Sequence, residues 1–156
     1  MATMPEVTVQ VTVNPTVPEL MRLCIARTSP MYTCKRGPRA SGALLLLSNL
    51  ELIYGYVRPS RSSPTCLEIG CMIEDGHCVR NNHAEVDALL TAAKRGLTTR
   101  NGWMFSINKP CYQCTRAIIA AGIWKVFYAY AVYNEERTQA ICDAAGLEVI
   151  RVPLDV

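Results

Sequence analysis

Two short motifs in the middle of the chain constrain it most: His83-Ala84-Glu85 and Pro110-Cys111-Tyr112-Gln113-Cys114. Imidazole and thiolate groups are preferred ligands of Zn²⁺, and three protein ligands leave one tetrahedral position open, as in catalytic zinc sites. A carboxylate that is spare as a ligand can transfer protons beside the metal. We therefore predict that Glu85 is catalytic and that the metal ligands are His83, Cys111 and Cys114.

Each motif alone is weak evidence. A Cys-x-x-Cys pair also occurs in redox sites and in halves of zinc fingers, and a lone His-x-Glu carries almost no information. Together and in this order, the two motifs match the H-x-E and P-C-x-x-C signature of zinc-dependent nucleobase deaminases. The combination favours a catalytic metal over a structural cluster.

The composition limits the partners that we expect. Half of the 156 residues are hydrophobic, which suits one globular domain with an ordinary core. The net charge of +3 is small and scattered, without the basic-aromatic stripe that follows a nucleic-acid backbone. The longest apolar run, residues 42–47, is too short for a membrane span. We expect a small-molecule substrate, no polymeric nucleic acid and no membrane.

The eight cysteines do not require an oxidising compartment. Two of them belong to the metal motif, and a chain that can build a full core does not need disulfides to fold. We therefore expect free or metal-bound thiols and a cytoplasmic location.

Apolar periodicity and turn residues predict the order α-β-β-α-β-α-β-α-β. Strands that alternate with helices after an opening hairpin indicate an α/β fold, a three-layer α/β/α sandwich with a mixed five-stranded sheet. The predicted domains are an N-terminal extension, 1–17, and a catalytic domain, 18–156. Within the extension, residues 6–13 alternate like a strand but equally fit a loosely ordered terminus. Both metal motifs are predicted at helix N-termini, where the helix dipole favours thiolates.

The chain resembles the cytidine deaminase superfamily, and within it the deoxycytidylate (dCMP) deaminases of bacteria and phages. The resemblance covers approximately residues 20–152. It rests on the two metal motifs and on four further segments: Ala26-Arg27-Thr28-Ser29, Gly42-Ala43, Gly55-Tyr56 and Ala121-Gly122-Ile123-Trp124-Lys125-Val126. It implies a cytidine deaminase-like fold and the metal ligands already predicted, with the backbone around Ala84 holding the cytosine ring.

The reaction that this resemblance implies is hydrolytic deamination of dCMP at C4, in which Glu85 protonates N3 and then the departing amine. The products are dUMP, a precursor for dTTP synthesis, and ammonia. The resemblance also implies a homo-hexamer, dCTP and dTTP effectors acting with Mg²⁺, and a host-cell cytoplasm if the protein is phage-encoded.

The chain departs from the family where the family usually has Gly-Tyr-Asn-Gly. Here Val57 replaces the asparagine and is followed by Arg58. Valine cannot form the family's hydrogen bond to the nucleotide. Arg58 can bind phosphate through its guanidinium or remain a solvated surface group. Lys109 can likewise bind phosphate or face the solvent. Acceptance of dCTP therefore stays open, and the complete set of substrate-binding candidates is Arg27, Tyr56, Arg58, Ala84 and Lys109.

A second group of potential ligands flanks the first metal motif: Cys34, Cys66, Cys71, His77 and Cys78. Some phage dCMP deaminases resemble this chain in carrying a second, structural zinc near this position. Four Cys or His ligands would hold the long connection between Tyr56 and Cys78. The alternative is that these cysteines are ordinary buried residues.

Two other functions share the same zinc motif. One is a polynucleotide editing deaminase that acts on cytosine or adenine in RNA or single-stranded DNA, which would need a basic aromatic groove. The other is a non-catalytic zinc-binding scaffold, which would not need Glu85.

Overall fold

The computed structural model describes residues 14–31, 33–34, 42–131 and 135–154. The predicted strand at 6–13 lies outside these residues, and the division of the chain at residues 17 and 18 stays a prediction. The described helices are α1 (Val17–Thr28), α2 (Cys66–Ile69), α3 (Ala84–Lys94), α4 (Tyr112–Ala120) and α5 (Glu136–Ala145), with a 3₁₀ turn at Ser29–Met31. The long strands are β1 (Gly42–Leu46), β2 (Leu52–Tyr56), β7 (Trp103–Asn108), β8 (Lys125–Tyr130) and β9 (Glu148–Arg151).

The five long strands form one mixed sheet in the order β2-β1-β7-β8-β9. The first pairs, β1 with β2 and β1 with β7, are antiparallel, whereas β7, β8 and β9 run parallel. Parallel neighbours need a crossover, which α4 and α5 supply. The predicted element order and the mixed five-stranded sheet are confirmed.

Alternating side chains of the sheet build two separate cores. On one face, Leu44 and Phe105 pack with Leu20 and Met21 of α1. On the other face, Leu45 packs with the alternate residues Ala43 and Leu47 against α3, α4 and α5. Because β1 is buried on both faces, it reads as an almost continuous apolar run. Helices cover both faces, so the predicted three-layer α/β/α sandwich is confirmed.

The connection between β2 and α3 contains short elements that the sequence did not predict. They are β3 (Arg58–Pro59), α2, β4 (Ile73–Glu74), β5 (His77–Cys78) and β6 (Asn81–Asn82). β3 pairs with β6, and β4 pairs with β5. Two-residue strands are too short to show periodicity, so this segment looks like a loop in the sequence.

Gly55 allows α3 to approach the sheet closely. A side chain at this position would overlap the carbonyl oxygen of Ala84 and would lie 2.9 Å from the backbone nitrogen of Ala88. The N-terminus of α3 therefore rests directly on β2, which places the first metal motif above the sheet. Among the residues that the structure describes, every helix is too short or too polar to cross a membrane.

Candidate metal centre and active site

Two helix N-termini carry the residues of the first metal motif. His83 is the N-cap of α3, and Cys111 is the N-cap of α4. Both have extended backbone dihedrals, and neither side chain makes a capping hydrogen bond, so both side chains are available to a ligand. The predicted placement at helix N-termini is confirmed.

The fold brings the three predicted ligands together. The distance from His83 Nδ1 to the Sγ of Cys114 is 3.3 Å, and the distance to the Sγ of Cys111 is 3.6 Å. Ligands bound tetrahedrally at zinc distances of about 2.0–2.3 Å stand roughly 3.3–3.8 Å apart. The donor set and its spacing therefore fit a zinc ion held by one imidazole and two thiolates.

The electrostatics of the cysteine pair favour thiolate. A hydrogen bond from Cys114, together with His83, lowers the pKa of Cys111 to about 3 even though burial opposes this. The same pairing, with burial, raises the pKa of Cys114, so the metal-free pair shares one proton. The hydrogen bond to Cys111 raises the pKa of His83. The lowered pKa of Cys111 and the raised pKa of His83 both indicate that the site stabilises negative charge on sulfur before a cation binds.

Glu85 lies at the inner side of this group, in the first turn of α3. Its side chain is 3% exposed, and its Oε1 accepts a 2.7 Å hydrogen bond from the Ser106 hydroxyl. One of its carboxylate oxygens lies within 4.8 Å of the ligand atoms of His83 and Cys114. Burial raises the pKa of this carboxyl. Oε2 accepts no hydrogen bond from the described residues, so a buried oxygen remains to exchange a proton with a ligand.

A cavity of about 390 Å³ opens over the three predicted ligands. Its volume suits one small molecule. The lining residues are Glu74, Asp75, His77, Cys78, Val79, Asn81, Asn82, His83, Val86, Cys111, Tyr112, Gln113, Cys114, Glu135 and Arg137.

Two cationic or potentially cationic side chains border this cavity. The His77 ring stacks on His83, with centroids 5.8 Å apart and ring planes at 29°. The Arg137 guanidinium lies 4.3 Å from the centre of the Tyr112 ring, and its Nε donates to Glu135 at 2.6 Å. Sequence analysis assigned His77 to the other cysteines and did not consider Arg137. The only indication of Arg137 in the sequence was its position at the start of a predicted helix.

The substrate-binding candidates, all of them described residues, lie outside the set that lines this cavity. Ala84 is buried directly after His83. The Nε of Arg58 donates to Asp87 Oδ1 at 2.8 Å, and the other oxygen of Asp87 accepts from the backbone N–H of Tyr56. Arg58 therefore joins β3 to α3, with part of its guanidinium already engaged.

The remaining two candidates are Lys109 and Arg27. Lys109 lies over the ring of Tyr128, and its backbone nitrogen donates to the Tyr130 carbonyl. Arg27 is exposed on α1. Burial raises the pKa of Tyr54, and the positive charge of Arg27 opposes that shift. The carbonyl of Val57, the residue that departs from the family, accepts a 2.7 Å hydrogen bond from Thr33.

The second group of potential ligands separates into two parts. The Sγ atoms of four cysteines lie within 4.8 Å of one another: Cys34, Cys66, Cys71 and Cys78. His77 is not a member of this four-cysteine cluster. It lies with His83 and Cys111 instead, also within 4.8 Å.

A buried His-Cys-Cys group with a spare glutamate, beneath a cavity of nucleotide size, is typical of the zinc-dependent nucleobase deaminases. Comparison with known proteins agrees with this class. The family model described as the cytidine and deoxycytidylate deaminase zinc-binding region matches residues 16–130. The chain therefore belongs to the cytidine and deoxycytidylate deaminase family.

Individual relatives extend this result. ComE operon protein 2 of Bacillus subtilis (strain 168) is 34% identical over 119 residues, which is 76% of this chain and 63% of that protein. Deoxycytidylate deaminase of Enterobacteria phage T4 is 36% identical over 72 residues, or 46% of this chain and 37% of that protein. The matched regions thus span less than two thirds of these curated relatives.

Solved structures show the same fold. The dCMP deaminase of cyanophage S-TIM5 in complex with dCMP and dUMP has a TM-score of 0.69 and 26% sequence identity. The match covers 90% of this chain and 99% of that one. The predicted family and the predicted cytidine deaminase-like fold are both confirmed.

Proposed function

We propose that this protein deaminates deoxycytidylate hydrolytically, giving deoxyuridylate and ammonia. The observation that carries the proposal is Glu85, because a purely structural metal site has no use for a buried carboxylate with a spare oxygen beside three ligands. The cyanophage dCMP deaminase and the phage deoxycytidylate deaminases, which this chain resembles, support the choice of base and sugar.

The residues of the site have separate tasks in this proposal. His83, Cys111 and Cys114 would hold Zn²⁺, and a zinc bound there supplies a Lewis acid that lowers the pKa of water. Glu85 takes one proton from the attacking water and delivers it to N3 as the oxygen bonds to C4. It then takes the remaining proton from the hydroxyl formed at C4 and delivers that proton to the leaving amine, so the C4–N bond breaks and the C4 carbonyl forms. The hydroxyl of Ser106 fixes one carboxylate oxygen, so the other oxygen is directed to the proton transfers.

We assign the binding of the substrate phosphate to Arg137, which lies at the cavity wall. Tyr112 and Glu135 already orient its guanidinium, which lowers the cost of ordering it around a phosphate. The cavity wall also carries Glu74, Asp75 and Glu135. These carboxylates favour a monophosphate over the more negative dCTP, and we propose dCTP as a slower substrate at most.

An editing deaminase that acts on polynucleotides is the second candidate. The mixed charges around the cavity and the small net charge of +3 do not resemble a channel that tracks a nucleic-acid backbone. A scaffold without catalysis is disfavoured by Glu85.

The proposal includes a homo-oligomer. Exposed apolar side chains concentrate between residues 67 and 79, on the connection beside the cavity: Leu67, Ile69, Met72, Ile73 and Val79. Concentrated apolar surface of this kind is typical of protein interfaces. The hexameric state, the dCTP and dTTP effectors with Mg²⁺, and the cytoplasmic location stay predictions from the family resemblance.

The decisive test is an assay of the zinc-loaded chain with four compounds: dCMP, dCTP, deoxycytidine and a cytosine-containing single-stranded oligonucleotide. Loss of cytosine absorbance is followed for each. We expect dCMP to give the highest kcat/KM. Turnover of the oligonucleotide alone would replace the proposal with the editing function, and inactivity on all four compounds would contradict it.

A further inference from the structure

We propose that the ion pair between Arg58 and Asp87 is a clamp that sets the positions of Asn82 and His83. Arg58 is then a positioning residue, which acts through α3 and β6 and not through a contact with the substrate phosphate. The effect of the clamp on catalysis rests on the proposed function, whereas its effect on metal binding does not.

The carboxylate of Asp87 is held at both of its oxygens. Arg58 Nε donates to Oδ1 at 2.8 Å, and the backbone N–H of Tyr56 donates to Oδ2 at 2.9 Å. The side chain of Asp87 is 9% exposed, against 44% for Arg58. A carboxylate this deeply buried needs protein partners, because water does not reach it to replace them. Asp87 therefore fixes the first turn of α3 to the end of β2 and to the start of β3.

The contacts of Arg58 and Asp87 close a ring around the start of α3. The backbone of Arg58 pairs with Asn82 in the antiparallel pair of β3 and β6. Asn82 is bonded to His83, and the His83 carbonyl accepts a 3.0 Å hydrogen bond from the backbone N–H of Asp87. The carboxylate of Asp87 then returns to Arg58. A strand pair on one side and an ion pair on the other thus hold Asn82 and His83.

The positions of Asn82 and His83 matter for the site. His83 is the N-cap of α3, where the backbone changes from the extended conformation to the helix. A shift at this residue moves the imidazole relative to the two cysteines of α4. Asn82 lines the cavity directly beside it. Loss of an outer contact that orients a metal ligand typically lowers metal affinity or activity about 10- to 100-fold.

The guanidinium of Arg58 is engaged on the side of β2 and α3. Its Cζ lies 5.7 Å from the centre of the Tyr56 ring, and its Nε is bound to Asp87. Arg58 is a described residue but is not among those that line the cavity, whereas Arg137 is. The two contacts of Arg58 therefore suit a group that fixes the protein, and they leave the phosphate to Arg137.

A second ion pair provides a matched control at the opposite end of α3. Arg95 is the C-cap of this helix, and its Nη2 lies 2.9 Å from Glu51 Oε2, just before β2. These side chains are 52% and 41% exposed, and exposed ion pairs contribute little to stability. Arg95→Ala therefore removes an ion pair between α3 and the β1-β2 hairpin and leaves the clamp intact.

Zinc affinity is the first readout. The metal-free full chain is titrated with zinc against a chromogenic chelator, at a temperature at which circular dichroism shows that each variant is folded. We expect Arg58→Ala and Asp87→Asn each to weaken zinc binding about 10- to 100-fold. The double variant should lose no more than the weaker of the two, because both changes remove the same pair. Arg95→Ala should bind zinc like the wild type.

Two results of this titration would overturn the clamp. One is wild-type zinc affinity in Arg58→Ala, and the other is a loss in the double variant equal to the product of the single losses. If Arg58→Ala does not fold, Asp87→Asn, which keeps the shape of the side chain, is measured against Arg95→Ala. Equal zinc affinities in these two variants would then overturn the clamp.

Catalysis is measured at saturating zinc with dCMP and with deoxycytidine, which has no phosphate. We expect Arg58→Ala to lower kcat/KM by the same factor for both compounds, about 10- to 100-fold, because a small misplacement of the site costs this much. A loss confined to dCMP would indicate a phosphate contact and would overturn the positioning role, as would unchanged kinetics. Inactivity of the wild type on every cytosine compound would contradict the proposed function, and the zinc titration would still decide the clamp.

Discussion

Glu85 is a carboxylate that the fold buries almost completely, with one oxygen held by a hydrogen bond from Ser106. Burying a carboxylate costs folding energy, and a carboxylate that is buried all the same is a candidate functional group. Its burial raises its pKa, so the group can hold a proton at a pH where an exposed glutamate cannot. The sequence indicated this role from spacing alone, because Glu85 follows a ligand without being needed as one.

Replacement of Glu85 by glutamine should lower kcat for dCMP by about 10²- to 10⁴-fold, since an amide cannot transfer the proton. The zinc content should not change, because the three ligands remain. Steady-state kinetics together with metal analysis check both expectations. Asp143→Asn, an exposed substitution on α5, is the control and should keep full activity. Normal turnover in Glu85→Gln would remove the proposed mechanism.

Arg137 and Arg116 form a matched pair, because both guanidinium groups lie near the ring of Tyr112, at 4.3 Å and 6.0 Å. Of these two arginines, only Arg137 lines the cavity. We expect Arg137→Ala to raise KM for dCMP about 10- to 100-fold, the loss expected for a hydrogen bond to a charged group. Deoxycytidine, which has no phosphate, should be used equally well by variant and wild type. An equal effect of Arg116→Ala on dCMP would contradict the assignment.

At the scale of elements, two helix starts supply the site. α3 and α4 each begin at a metal ligand, so the position of the metal depends on how these helices rest on the sheet. The predicted helices and long strands agreed with the structure because each has a continuous apolar pattern. The short elements between β2 and α3 could not be predicted, because contacts across the connection hold them.

Gly55→Ala tests the packing of α3 on β2. The added methyl group would overlap the Ala84 carbonyl, so α3 must move outward together with His83. We expect a loss of about 1–3 kcal/mol in the free energy of unfolding, typical of overpacking, and weaker zinc binding. Urea denaturation and zinc titration measure the two effects. Lys94→Ala, at the exposed end of the same helix, should change stability by less than about 0.5 kcal/mol. Wild-type stability in Gly55→Ala would show that α3 is not held this closely.

At the scale of the whole molecule, folding should be linked to zinc binding by His83, Cys111 and Cys114. An ion that binds only the folded chain stabilises it by about 1.4 kcal/mol for each tenfold rise in free zinc above its dissociation constant.

Unfolding in zinc buffers measures this slope. The wild type should show this slope, and Cys111→Ser, which removes one of the three predicted ligands, should show a smaller one. Addition of Mg²⁺ after chelation should restore neither stability nor activity, because thiolate sites select softer cations. A wild-type stability that does not change with free zinc would contradict a zinc ion that is linked to folding.

The sequence by itself determined the layered fold and the zinc-binding motif of the family, because apolar periodicity and ligand spacing are local properties of the chain. It could not show that His77 lies apart from the four cysteines. His77 and Cys78 are neighbours in the sequence, but a strand directs the side chains of neighbours to opposite faces. It also gave no sign of Arg137, which reaches the cavity because α5 packs beside α4 near Tyr112. Only the tertiary structure decides which distant side chains share a cavity, because that depends on how whole elements pack against the sheet.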